Sequence, residues 1–194
     1  MFGGNRMSKM IEEYLSGLQD CIKEISRQNI EEIADTIFNA YEKGHRIFIM
    51  GNGGSAATAS HFACDLQKNT AAKDKPRMRA TALTDNLSII TAIANDIEYN
   101  AVFEEQLIDQ TDKGDVVIGI TASGNSQNVL KAIKYAKDNG AITVGLIGFG
   151  GGKLKDLADK SITLSCCDYG QVEGIHLVLE HIITSLVKSK IHAS

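Results

Sequence analysis

The titratable side chains that could move a proton or bind a metal fall in two segments of the sequence. His61 and Asp65 are four residues apart after a glycine-rich turn, so on a helix they share one face. A later helical segment, residues 171–188, is apolar nearly all round and contains Glu173, His176, Glu180 and His181. Its two acids and His176 fall in one broad stripe and His181 lies off it, so spacing alone does not choose between the histidines. A carboxylate beside an imidazole predicts general base and general acid chemistry.

A second set of candidate residues follows the run DVVIGIT, which is typical of a buried strand. Thr121, Ala122, Ser123, Gly124, Asn125 and Ser126 form this segment, and a helical pattern begins after it. Hydroxyls and a glycine at the start of a helix predict a phosphate cradle that contains no lysine. Ser126 could instead be only a helix N-cap, but that role does not explain Thr121 and Ser123.

A glycine loop, Gly51-Asn52-Gly53-Gly54-Ser55, lies between another strand and another helix. Its exposed N–H groups would attract an anion, although a tight turn without a ligand is the simpler alternative. The loop also satisfies G-x-G-x-x-A, a weak dinucleotide signal. Asp85 is the only candidate for the acid that a nicotinamide cofactor would require, and it lies far from the glycines, so no nucleotide cofactor is expected.

A third glycine cluster, residues 148–153, does not fit a nucleoside triphosphate loop. The first glycine of G-x-x-x-x-G-K would fall on Ile147, and Leu154 stands where Ser or Thr is required. We expect a flexible loop here, with Lys153 in solvent.

Strand and helix patterns alternate after residue 45 and must position these side chains. Strands are predicted at 46–50, 78–83, 115–121, 141–147 and 161–166, and helices at 55–67, 87–94, 98–107, 126–138 and 171–188. Such alternation predicts a single α/β domain, a doubly wound five-stranded parallel sheet with helices on both faces.

Two N-terminal helices are predicted to precede the sheet, within residues 8–44, and residues 1–7 are expected to be flexible. The first helix has a narrow apolar seam of Ile11, Leu15, Leu18, Ile22 and Ile25. A seam this narrow favours packing on a partner subunit, although both helices packing within one chain is the alternative.

Composition excludes several classes of protein. The 194 residues are 43% apolar and 23% charged with a net charge of −4, so neither disorder nor nucleic-acid binding is indicated. No apolar run is long enough for a membrane helix. The four cysteines include no C-x-x-C pair, which is typical of a protein in a reducing cytoplasm.

Several stretches of the sequence resemble the sugar isomerase (SIS) domain family, and more narrowly its heptose-phosphate isomerase branch. They are GNGGSAATASHFACDL, ANDIEYNAVFEEQL, GDVVIGITASGNSQNVLKAIKYAKDNG, IGFGGGKLKDLAD and VEGIHLVLEH. The resemblance extends from about Ser8 to the final helix. It implies a phosphosugar ketose–aldose isomerase, with sedoheptulose 7-phosphate as the expected substrate and an enediol intermediate.

The resemblance also implies roles for individual residues. Substrate would be held by Asn52, Gly53, Gly54, Ser55, Asn95, Asp96, Thr121, Ala122, Ser123 and Ser126, together with His61, Asp65 and Glu173. The catalytic and metal-binding set would be His61, Asp65, Glu173 and His181, with zinc or a similar divalent ion. Asp65 or Glu173 would be the base and His181 the acid. A homotetramer with bundled N-terminal helices and active sites between subunits is implied as well.

The sequence departs from the family pattern at three of these places and at Asn69. Asp65 stands in place of Glu, Glu173 in place of Gln, Ala122 in place of a hydroxyl residue, and Asn69 where Arg is frequent. A related branch keeps the fold without catalysis and binds a replication initiator protein, which is the alternative function. The presence of His181 and the carboxylates argues against that alternative.

Overall fold

The sheet has five parallel strands in the order β2-β1-β3-β4-β5. The computed structural model describes residues 3–194, with side chains from residue 6 onward. The strands are β1 Arg46–Gly51, β2 Arg79–Ala82, β3 Val116–Thr121, β4 Ile142–Ile147 and β5 Lys160–Thr163. The α-helices are α1 Gly3–Lys23, α2 Arg27–Glu42, α3 Gly54–Lys68, α4 Leu87–Asp96, α5 Glu104–Leu107, α6 Gln127–Asp138, α7 Gly152–Leu157 and α8 Tyr169–Ala193. A 3-10 turn spans Tyr99–Ala101. The predicted doubly wound sheet is confirmed.

Alternating strand residues separate two apolar cores, one on each face of the sheet. Ile47 and Ile49 of β1 face the core under α2, α3 and α8, whereas Phe48 and Met50 face the core under α5, α6 and α7. The central strands β1 and β3 are buried on both faces, as the continuous apolar runs predicted. All five strands end at the same edge, which therefore receives the loops that precede α3 and α6.

The two N-terminal helices form a hairpin whose first member is largely uncovered. Ser26 caps α2 by accepting a hydrogen bond from the Asn29 N–H (3.2 Å). On the α1 seam, Leu18 and Ile25 pack against the core, but Ile11 is 60% exposed and Leu15 50% exposed. Of the predicted flexible segment 1–7, Met1 and Phe2 lie outside the described residues, and α1 already begins at Gly3.

The third glycine cluster differs from the flexible loop that we expected. The backbone turns at Phe149, Gly150 and Gly151, which all have positive φ, and α7 then begins at Gly152. The Leu154 side chain is fully buried, and its N–H donates to the Gly124 carbonyl (3.0 Å). This cluster is thus packed against the loop that precedes α6. The sequence did not indicate α7 because six residues are too few to show helical periodicity.

The α4 helix is apolar yet uncovered within this chain. None of its ten residues, all of them described, is buried, and Leu87 and Ile89 are exposed. Across residues 3–194, we find no helix with the length and apolar character that crossing a membrane requires.

Candidate active site

Helices α3 and α8 lie side by side and carry most of the titratable candidates. Gly54, at the start of α3, lies against the Glu173 carboxylate of α8. Seven residues later on each helix, His61 Nδ1 lies 3.5 Å from Glu180 Oε1. Because seven residues separate the two contacts on both α3 and α8, the two helices run parallel and in register. The candidate residues are therefore divided between two levels, separated by two helical turns, or about 10.5 Å.

At the first level is a small cavity of about 160 Å³ between the two predicted binding loops. Its lining residues are Asn52, Ser55, Ile120, Thr121, Ala122, Ser123, Ser126, Tyr169 and Glu173. Among these described residues there is no lysine or arginine. The structure thus brings the hydroxyl-rich loop, the glycine loop and Glu173 to one place.

The hydroxyl groups of the second loop face one another inside this cavity. Thr121 Oγ1 lies 3.1 Å from Ser126 Oγ and 3.5 Å from Ser123 Oγ. Ser126 occupies the N-cap position of α6, but its hydroxyl makes no capping hydrogen bond to that helix. Ser123 Oγ accepts from the Asn125 N–H (3.2 Å), so its own O–H can still donate. These donors converge at the positive end of the α6 dipole and suit an anion.

The third glycine cluster holds the hydroxyl loop in place. Gly124 has a φ of +66°, and a side chain there would collide with the Gly151 carbonyl. The Lys153 N–H donates to Asn125 Oδ1 (3.2 Å). Glycine at 124 thus lets the two loops approach at backbone distance, which is a role that sequence analysis did not assign to it.

At the second level, four side chains meet between α3 and α8. His61, Asp65, Glu180 and His181 each offer a ligand atom, and these atoms all lie within 4.8 Å of one another. His181 Nε2 lies 3.1 Å from Glu180 Oε1 and 3.9 Å from Asp65 Oδ2. His61 Nε2 lies 3.7 Å from Asp65 Oδ1. We call these four residues the carboxylate–histidine cluster.

The two carboxylates of the cluster are buried, whereas its two imidazole rings are partly exposed to solvent. Glu180 has no exposed surface, whereas the His61 and His181 side chains are 44% and 50% exposed. Both Glu180 carboxylate oxygens lack a hydrogen-bond partner among the described residues. Burial, and then the nearby Asp65 charge, raise the pKa of Glu180 to about 7. Asn69 supports Asp65, since its amide donates to Oδ1 (2.7 Å).

The cluster differs from the set that the resemblance implied. His61, Asp65 and His181 lie together, but Glu173 lines the cavity instead, and Glu180 occupies the fourth place. The residues Glu173 and Glu180 share a helical stripe, so the sequence pattern could not distinguish them. An acid on an almost wholly apolar helix needs a partner, but this signal applies equally to both residues and did not separate them.

Other predicted site residues lie elsewhere. Asn95 and Asp96 are exposed at the end of α4, where the Asn95 amide donates to Asp96 (2.7 Å), and neither lines the cavity. Conversely, Tyr99 and Asn128 hydrogen-bond to Asn52 and were not singled out from the sequence.

The donor set of the cluster fits a divalent metal. Two imidazoles and two carboxylates are ligands that zinc accepts. A buried carboxyl group without a hydrogen-bond partner, beside a second carboxylate, is costly unless a cation or proton compensates it.

Comparison with known proteins agrees with this fold. Residues 12–148 match the family model of the SIS domain, which is the class of protein that the fold and site define. Phosphoheptose isomerase from Geobacter metallireducens is 37% identical over 94% of this chain and 97% of its own length. Phosphoheptose isomerase from Aneurinibacillus thermoaerophilus is 40% identical over 84% of this chain and 81% of its own. The structure of phosphoheptose isomerase from Neisseria gonorrhoeae superposes with a TM-score of 0.86 at 29% identity, covering 95% of this chain and 98% of that one. The chain belongs to the phosphoheptose isomerase family of SIS-domain proteins.

Proposed function

We propose that this protein is an aldose–ketose isomerase that interconverts sedoheptulose 7-phosphate and D-glycero-D-manno-heptose 7-phosphate. The observation that carries the proposal is the cavity in which Ser55, Thr121, Ser123 and Ser126 meet beside Glu173, with the carboxylate–histidine cluster two turns further along the same helices. Family membership supports the same reaction.

The hydroxyl cavity binds the phosphate group in this proposal. Its donors are neutral, so affinity depends on several charge-assisted hydrogen bonds rather than on one salt bridge. The N-terminal end of α6 adds a partial positive charge. Glu173, on the opposite wall, is placed to accept hydrogen bonds from sugar hydroxyls.

The reacting end of the sugar lies toward the cluster. In a ketose 7-phosphate, the reacting C1 and C2 are at the far end of the carbon chain from the phosphate. An extended chain of this length suits the two-turn separation between cavity and cluster, about 10.5 Å along the helices. This match favours a seven-carbon substrate over shorter ones.

Proton transfer is assigned to Asp65 and His181. An enediol mechanism needs a base beside the carbon that loses its proton and an acid beside the neighbouring carbonyl oxygen. Asp65 Oδ2 lies 3.9 Å from His181 Nε2, so both partners can serve neighbouring atoms of one substrate. Asn69 binds the other Asp65 oxygen, which leaves Oδ2 to act as the base. His61 lies beside this pair, with its Nε2 3.7 Å from Asp65 Oδ1.

The cluster residues His61, Asp65 and His181 would hold a zinc or similar divalent ion. When bound, such an ion polarises a carbonyl oxygen and stabilises negative charge that develops on it. His181 Nε2 would supply the acid while no ion is bound to it; with an ion bound, that nitrogen would be a ligand, and polarisation by the ion would take the place of the acid. The phosphate contacts come from the chain's own residues in either case.

We further propose a cytoplasmic homotetramer with active sites between subunits. Ile11 and Leu15 of α1 are exposed, as are Leu87 of α4 and Val178 and Ile182 on either side of His181. Soluble monomers rarely expose apolar surface of this extent. Asn95 and Asp96 lie away from the cavity of their own chain, which suits a site that a second copy completes. All four cysteines are free thiols, as expected in a reducing compartment.

The experiment is an isomerase assay on seven-, six- and five-carbon ketose phosphates. We expect the highest kcat/KM with sedoheptulose 7-phosphate. Asp65→Asn and His181→Gln should each lower kcat by at least about 100-fold. Equal or higher turnover of a shorter ketose phosphate would contradict the substrate, and full activity in both variants would contradict the catalytic assignment.

A further inference from the structure

We propose that Glu180 is the fourth protein ligand of the metal site, with His61, Asp65 and His181, and that Glu173 belongs to the sugar-binding cavity instead. This inference deepens the proposed function and relies on it for the presence of a metal. It assigns different roles to two acids of the same helix.

The surroundings of Glu180 point to a cation. Its side chain is fully buried, and neither carboxylate oxygen has a hydrogen-bond partner among the described residues. Oε1 is directed at the two histidines, 3.1 Å from His181 Nε2 and 3.5 Å from His61 Nδ1. A buried carboxylate beside a second carboxylate, Asp65, is destabilising by itself, whereas a shared metal ion would compensate both charges.

The separations in the cluster fit one small ion. Zinc bonds of 2.0–2.1 Å in a tetrahedron place neighbouring ligand atoms about 3.4 Å apart. His181 Nε2 lies 3.1 Å from Glu180 Oε1 and 3.9 Å from Asp65 Oδ2. His61 approaches Glu180 through Nδ1 (3.5 Å) and Asp65 through Nε2 (3.7 Å), and only one of these two nitrogens would bind the ion. One ligand atom from each of the four residues lies within 4.8 Å of the others, so the cluster is compact enough to surround a single ion.

Glu173 is unsuited to the same role within this chain. Its carboxylate lies against Gly54 at the start of α3 and faces the hydroxyls of the phosphate cavity. Seven residues separate it from Glu180, so it lies about 10.5 Å further toward the start of α8. Because it shares a stripe with Glu180, Glu173 is the matched control position.

The test measures metal affinity directly, with Co²⁺ and Zn²⁺ as probes. Full-length protein is freed of metal by a chelator and titrated by calorimetry and by the visible absorption of bound Co²⁺. We expect Glu180→Gln to weaken binding by about 100-fold or more, because even outer partners of metal ligands contribute 10–100-fold. Glu173→Ala should stay within about threefold of the unsubstituted protein and raise the KM for substrate instead.

Thermal unfolding of metal-free protein tests whether a variant that loses metal affinity is still folded. Glu180→Gln is close to isosteric and removes a buried charge, so its metal-free melting temperature should not fall, whereas the stabilisation that metal provides should be lost. Glu180→Asp, which withdraws the oxygens by about one bond length, should weaken Co²⁺ binding and alter its spectrum.

Several results would overturn the assignment. They are wild-type affinity in Glu180→Gln or Glu180→Asp, a greater loss in Glu173→Ala, or no Zn²⁺ or Co²⁺ binding by the unsubstituted protein. The isomerase assay separates this question from the proposed function. Loss of metal affinity in Glu180→Gln, with no turnover of any sugar phosphate by the unsubstituted protein, would retain the ligand and reject the reaction.

Discussion

The side-chain amides of Asn52 and Asn128 hydrogen-bond to each other, each donating to the other's carbonyl oxygen at 2.9 Å. Asn128 Oδ1 also accepts from the Val129 N–H (2.9 Å), which fixes the orientation of its amide. Asn52 Oδ1 accepts a second bond from the Tyr99 hydroxyl (2.8 Å). Both lone pairs of Asn52 are then used and one N–H remains, so Asn52 can only donate to a ligand in the cavity.

Asn128→Ala should therefore impair substrate binding although Asn128 does not line the cavity. Without its partner, the Asn52 amide can rotate, and we expect KM to rise about tenfold with a smaller change in kcat. Steady-state kinetics with sedoheptulose 7-phosphate measure both constants. Tyr99→Phe removes only the hydroxyl that donates to Asn52 Oδ1 and should have a smaller effect. An unchanged KM in Asn128→Ala would contradict the positioning role.

The hydroxyl cavity predicts which substitutions weaken phosphate binding. Ser123→Ala and Ser126→Ala each remove a donor to a charged group, which is worth about 1.5–3 kcal/mol, so KM should rise roughly 10- to 100-fold. Lys153→Ala is the matched control, because Lys153 lies on α7 in a separate groove with Lys131 and Lys134. A larger effect of Lys153→Ala than of Ser123→Ala would show that the phosphate binds in that groove.

The sheet and the loops could be predicted from the sequence because each depends on a local pattern. The buried strands β1 and β3 are continuous apolar runs, and the glycine and hydroxyl loops follow them directly, so their meeting at one edge follows from a parallel sheet. The cluster could not be predicted fully. Its fourth member depends on how α8 is positioned lengthwise against α3, because Glu173 and Glu180 are equivalent in helical phase and both face α3. Asn128 was missed because its role depends on a contact 76 residues away in the sequence.

Burial of His176 makes stability dependent on acid pH. The ring is fully buried, and burial lowers the pKa of His176 to about 4, although a backbone hydrogen bond with Ile147 partly opposes that shift. The unfolded chain binds this proton near pH 6.5 and the folded chain does not, so stability falls as pH decreases from about 6.5 to 4. The contribution of this one group is on the order of 3 kcal/mol. His176→Leu should remove that part of the pH dependence.

Urea unfolding at pH 7, 5.5 and 4.5 measures this effect. We expect the difference in unfolding free energy between His176→Leu and the unsubstituted protein to shift in favour of the variant as pH falls. Exposed His192, near the end of α8, provides the control, since His192→Gln should leave the pH profile unchanged. Parallel profiles for His176→Leu and the unsubstituted protein would contradict the assignment.

The uncovered face of α1 predicts how the subunits assemble. Ile11, Leu15 and Ile22 are exposed on one seam of a 21-residue helix, and a second copy of the same seam is the partner of matching chemistry. Leu15→Glu together with Ile22→Glu places charges within that seam, and we expect a tetramer to dissociate into smaller species.

Size-exclusion chromatography with light scattering at micromolar concentration measures the mass. Ser16→Glu adds a single charge at an exposed position on the side of α1 away from the seam and should leave the tetramer intact. Because the proposed sites lie between subunits, activity should fall with the tetramer in the double variant, while circular dichroism shows that the sheet domain remains folded. A monomeric unsubstituted protein, or a tetramer that survives both glutamates, would contradict assembly through α1.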